Sequence, residues 1–88
     1  MEKKYFVDEY GREYISWENV QKELGITQMD LMELLARYTG YNWMMNHKFN
    51  GESYFERQYF ETDILTAFNH LKESNRLHEI QWKLPDKR

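Results

Sequence analysis

The chain has no cysteine, one proline and four glycines among its 88 residues. The missing thiols exclude disulfides, thiolate nucleophiles and cysteine-ligated zinc, and they fit a reducing, cytoplasmic setting. So little proline and glycine removes the compositional signature of a disordered chain. No apolar run approaches the roughly 18 residues of a membrane-spanning helix. The opening Met1-Glu2-Lys3-Lys4 leads into mixed polar sequence, not into the apolar segment of a secretion signal. A basic surplus is also lacking. Residues 1–46 hold five Lys/Arg against eight Asp/Glu, residues 47–88 hold seven of each, and the formal charge is −3. Any phosphate contact therefore has to be weak or confined to a local patch.

What the chain has in quantity is aromatic residues. Three Trp, seven Tyr and five Phe stand beside eight Leu, enough for one small core. A chain of this length buries only about 60% of its unfolded surface on folding, so residues 1–88 read as one domain. No repeat, linker or low-complexity run divides it. Such a core does not enclose all fifteen rings. Tyr and Trp left outside suit base stacking, worth roughly 1–3 kcal/mol per base, or the anchor positions of a protein interface.

Local signals order the elements. Tyr5-Phe6-Val7 and Glu13-Tyr14-Ile15 are β-prone and flank a turn at Asp8-Glu9-Tyr10-Gly11, predicting an N-terminal hairpin over about 4–15. Ser16 is placed to cap a helix, with Asn19 where a capping box prefers Glu or Gln. Trp17, Val20 and Leu24 follow at helical spacing, and Gly25 supplies the stop. Thr27 caps a second helix bearing Leu31, Leu34, Leu35 and Tyr38 on one face, ended by Thr39-Gly40. Asn50-Gly51 is the strongest hairpin signal, because a type I′ turn needs positive φ at both positions. Thr62 is the expected cap of a third helix carrying Ile64, Leu65, Phe68 and Leu71. Leu77, Ile80 and Leu84 predict a short fourth helix before Pro85, although Ile80, Trp82 and Leu84 would also alternate as a strand.

The stretch from Tyr14 to Leu35 resembles a helix-turn-helix: a cap, an apolar pair ending in Leu24, the turn Gly25-Ile26, a second cap at Thr27, then Leu31 and Leu34. The resemblance extends over roughly residues 14–84 to the winged DNA-binding domains of the MerR and excisionase type. His47 to Tyr54 stand at the wing position, Tyr59 to Ile64 at the wing exit, and Leu71 to Ile80 at the last helices. The implied fold is mostly α with a small β-hairpin wing, three to four short helices and an N-terminal β-hairpin. Its segments are a helix-turn-helix over about 16–39, a wing over about 44–58 and C-terminal helices over about 62–84. The chain departs from the family pattern in two respects. Gln21 stands where a small residue usually lets the helices touch. Asp30 and Glu33 lie beside the expected groove readers, where each like-charge contact at 4 Å costs on the order of 1 kcal/mol in water.

The resemblance implies a small nucleic-acid-binding accessory or regulatory protein of phages and mobile elements. Its candidate contacts to duplex or single-stranded DNA are Thr27, Gln28, Arg37, Lys48, Asn50, Tyr54 and Arg57. A different reading makes the same scaffold an acidic protein-interaction adaptor, a partner subunit of a replication or recombination enzyme. Met29, Met32, Tyr41 and Trp43 are its candidate interface residues. Either reading suits a monomer or a homodimer. No Ser-His-Asp set, phosphate loop or glycine-rich cradle is legible, and His47, His70 and His78 lack metal-ligand spacing. No enzyme activity, metal or cofactor is therefore expected.

Overall fold

The structure, a computed structural model, describes residues 4–81. Four short strands form one antiparallel sheet: β1 (Phe6–Val7), β2 (Glu13–Ser16), β3 (His47–Phe49) and β4 (Glu52–Glu56), in the order β1-β2-β4-β3. Asp8 shapes the first turn, its carboxylate accepting the Tyr10 and Arg12 backbone N–H groups at 2.9 Å each. Asn50 (φ 52°) and Gly51 (φ 82°) shape the second, in the double positive φ of a type I′ turn. Sequence reading gives two separate hairpins. The structure joins them through β2 and β4, where Ile15 lies opposite Phe55 and both are fully buried.

α1 (Trp17–Leu24) starts at Ser16, whose hydroxyl accepts the Asn19 N–H at 3.0 Å. It ends at Gly25, left-handed at φ 69°, whose N–H reaches the Gln21 carbonyl at 2.8 Å. α2 (Gln28–Leu34) begins with a capping box. The Asp30 N–H donates to the Thr27 hydroxyl, and the Thr27 N–H donates to the Asp30 carboxylate. Asp30 is consequently only 7% exposed. It starts the helix and does not face outward beside the groove readers, a correction to the sequence expectation. α2 continues as a π-helical turn, Leu35–Thr39, and stops at left-handed Gly40.

A 3-10 turn, Trp43–Met45, leads into β3. Beyond β4 the chain turns straight into α3 (Arg57–Tyr59), a π-helical turn (Phe60–Ile64) and α4 (Leu65–Glu73). Thr62 therefore does not cap this helix. Extended Glu56 feeds it six residues before the expected cap, because Phe60 and Ile64 already belong to the stripe that continues to Phe68. Thr62 instead donates its hydroxyl back to the Gln58 carbonyl at 2.8 Å. Asn75 (φ 58°) ends α4, with the Arg76 N–H on the Leu71 carbonyl at 2.7 Å. The expected fourth helix is only a 3-10 turn, Leu77–Glu79, after which Ile80 enters the core. Its remainder, 82–84, lies outside the described residues.

The core lies between the sheet and the helices. Val20, Leu31, Leu34, Phe60, Ile64 and Leu71 are fully buried around Ile15 and Phe55. Each such side chain contributes about 1.5–3 kcal/mol by leaving water. The result is a mixed domain: a small antiparallel sheet with its helices packed on one face.

Candidate functional site

Three parallel rings run from this core to solvent. Phe55 is buried, Trp17 stacks on it at 4.9 Å and 14°, and Trp43 stacks on Trp17 at 6.2 Å and 8°. Trp17 occupies the first helical position after Ser16, so its side chain leans back toward the sheet. Its indole N–H donates to the Asn46 amide oxygen at 3.1 Å, and the Asn46 amide donates to the Ser53 hydroxyl at 3.2 Å. Trp43 is held in its 3-10 turn by Asn42, whose side chain accepts the Met44 N–H at 2.9 Å. Tyr41 packs edge-on against Trp17, Trp43 and Phe55. Its hydroxyl is buried without a hydrogen-bond partner among the described residues, and burial raises its pKa.

Beside this stack lies an open cleft of about 320 Å³ between the start of α1, the start of α2 and the β3–β4 hairpin. Ser16, Trp17, Glu18, Gln21, Gln28, Met32, Trp43, Glu52 and Ser53 line it: two carboxylates and, among the described residues, no cation. Trp43 is 67% exposed and Met32 41%. Met29 and Met44, each next to or one turn from a lining residue, are exposed as well. Gln21, half-buried, turns into this cleft.

The sequence candidates thus divide. Gln28, Met32 and Trp43 share the cleft. Thr27 flanks it with its hydroxyl committed to the α2 cap. Asn50 stands at the hairpin apex, and Lys48 is exposed on β3 with no ion pair among the described residues. Tyr54 lies on the outer sheet face against Phe6 and Phe49.

The two arginines are engaged elsewhere. Arg37 pairs with Glu33 at 3.2 Å, donates to the Glu79 carbonyl at 3.1 Å and stacks over Tyr38. Arg57 is on α3, not on the hairpin. It bonds Glu13 at 2.7 Å and Glu61 at 3.0 Å, and it lies 4.4 Å above the Tyr5 ring. These hydrogen bonds, to Glu13 first and Glu61 second, raise its pKa further. The Tyr5 hydroxyl donates to Glu61 at 2.7 Å; burial first and that carboxylate second push the phenol up to about 12.

Sequence reading missed Ser16, Trp17, Glu18, Gln21, Glu52 and Ser53 as site residues. Trp17 was legible in principle, since a bulky ring directly after a cap projects toward the preceding strand. Glu52 and Ser53 carry no such signal; only the folded hairpin brings them to α1.

No family model, curated protein or solved structure matches this chain. What the site can do follows from its own chemistry. Stacked indoles and flexible methionines give an adaptable apolar surface. Glu18 and Glu52 add negative charge at its rim, although Glu18 also lies 3.9 Å from Lys22. Such a cleft attracts a cationic, partly apolar ligand and repels phosphate. No cluster of metal-ligating side chains occurs among the described residues. No helix there is long and apolar enough to cross a membrane.

Proposed function

We propose that the protein is a winged helix-turn-helix module used for protein interaction, docking a basic segment with apolar anchors between α2 and the β3–β4 hairpin. One observation carries this reading. The cleft between α2 and the β3–β4 hairpin is lined by Trp43, Met32, Glu18 and Glu52 and, among the described residues, by no Lys or Arg. Two of the three cations expected to grip phosphate, Arg37 and Arg57, are held in internal ion pairs. A cleft of about 320 Å³ sits at the small end of ligand pockets and fits side chains of a docked segment. Tryptophan half out of water, stacked on a rigid partner, is the type of anchor that dominates protein interfaces. Partners of matching chemistry are the basic, nucleic-acid-handling subunits of replication or recombination enzymes, in the cytoplasm.

The test is affinity capture from native lysate by the wild-type chain, Trp43→Ser and Met32→Glu, with and without nuclease. The expected result is a protein retained after nuclease and lost with both variants. Capture that disappears on nuclease treatment would overturn the reading.

A second reading, the nucleic-acid-binding accessory protein of a phage or mobile element, is favoured by Lys48 and Asn50. Both are exposed on the hairpin, and Lys48 is not neutralised among the described residues. It requires duplex or single-strand binding that falls with salt and with Lys48→Ala.

A further inference from the structure

We infer that the outer face of the sheet is a second docking surface, built for an arginine-bearing segment of a partner protein. It goes beyond the cleft and uses different residues apart from Glu52. Paired residues of antiparallel strands share a face. Phe6 pairs with Tyr14, Tyr14 with Glu56, His47 with Tyr54, and Phe49 with Glu52. Ile15 and Phe55 alternate to the other side, into the core. The outward face therefore carries Phe6, Tyr14, His47, Phe49 and Tyr54.

These rings form their own cluster. Phe6 meets Phe49 at 5.0 Å and Tyr54 at 5.4 Å, and Tyr14 meets Phe49 and His47 at 5.0 Å each. Tyr14 is only 3% exposed although it lies outside the helix-covered core; its neighbours on the outer face bury it. The solvated face of such a sheet is ordinarily polar, yet Phe6 here remains 39% exposed.

Charge decides the occupant. Glu52 and Glu56 stand on the same face as the rings, opposite Phe49 and Tyr14. Of the cations beside this face, Lys4, near Phe6 and Tyr54, is paired with Glu23 at 3.3 Å, and Arg57, near Glu56, is paired with Glu13 and Glu61; Arg12 also lies near Glu56. His47 pairs with Glu56 at 3.4 Å, and Asp8 accepts the Tyr14 hydroxyl at 3.3 Å. Lys48 alternates to the other side of β3. Ring faces edged by carboxylates attract cations and disfavour phosphates. A second copy would bring the same carboxylates against these. A guanidinium fits better than an ammonium, because its plane stacks on rings while its N–H groups reach a carboxylate.

The test is NMR titration of the full chain with a capped Gly-Arg-Gly-Arg-Gly peptide, its citrulline counterpart and an oligothymidylate. The expected result is movement of the Phe6, Phe49 and Tyr54 ring signals by the arginine peptide, and little by the uncharged isostere. Glu56→Gln, an exposed substitution that spares the core, should weaken binding about two- to fivefold. Phe6→Ala should do the same through the lost cation–π contact, again about two- to fivefold. Unmoved rings, equal movement by citrulline, or movement by the oligothymidylate instead would overturn the proposal. Phe6 and Glu56 do not line the cleft, so these signals report on the sheet whatever becomes of capture through Trp43.

Discussion

Arg57 and Glu13 meet at 2.7 Å although 44 residues of chain separate them. The contact ties the first turn of α3 to β2, and the same guanidinium reaches Glu61 and covers Tyr5. The N-terminal strand, the sheet and the last helical rod are thereby joined by one side chain. A cation that the sequence places on a phosphate-gripping hairpin is used inside the molecule.

Arg57→Ala is therefore expected to lower the melting temperature. Glu13→Gln should lower it less, because Glu61 still holds the guanidinium. Lys48→Ala, with no partner to lose among the described residues, should leave it unchanged. Thermal denaturation followed by circular dichroism checks all three. An Arg57→Ala melt that overlays the wild type would show that the network contributes nothing.

The ring stack separates core from rim. Phe55→Ala should cost about 3–5 kcal/mol, as expected for a large side chain removed from a packed interior. Trp43→Ala should cost less than about 1.5 kcal/mol, the range of one aromatic stacking contact. Urea unfolding of both variants measures the difference, and equal costs would place Trp43 in the core.

Gly25 owes its place to conformation, for among the described residues other than its chain neighbours nothing lies within 4 Å of where its Cβ would be. Gly25→Ala and Gly25→Val should each destabilise by about 1–2 kcal/mol, the penalty of the left-handed region. Gly25→Asn should cost less, because asparagine tolerates that region. A harmless Gly25→Val in urea unfolding would contradict the turn at φ 69°.

Short-range chemistry explains which parts of the fold were legible. Ser16, Gly25, Thr27 and Asn50-Gly51 act within a few residues of themselves, and each sits where its local signal places it. The β2–β4 pairing does not have that property. Nothing near Ile15 announces Phe55, forty residues on, so two hairpins read from sequence become one sheet only in the structure. Arg57 misleads for the same reason, since both its carboxylate partners and Tyr5 come from other elements or another turn of its rod. Of the cleft, Gln28, Met32 and Trp43 were legible as exposed candidates. Trp17 looked like part of a buried helical stripe, and its second role as the floor under Trp43 depends on where the 3-10 turn falls.

Acid should loosen the C-terminal turn. Glu79 accepts from Arg76 through two N–H groups at 2.9 Å and from the Tyr38 hydroxyl. The arginine bonds first and the phenol second pull its carboxyl from 4.5 to about 2. A carboxyl lowered on folding stabilises fully above its unfolded pKa and loses that contribution as pH falls toward the folded value. The loss for Glu79 thus spans from about pH 4.5 down to about pH 2. Urea midpoints measured across that window should fall more steeply for the wild type than for Glu79→Gln. Parallel curves would show that the carboxylate is not engaged.

The most direct test of the cleft is to replace Trp43 with the photoreactive p-benzoylphenylalanine and irradiate the chain in native lysate. The expected adducts are proteins that survive nuclease and vanish when Met32→Glu is added. Adducts that nuclease digests would mean that this face meets nucleic acid instead.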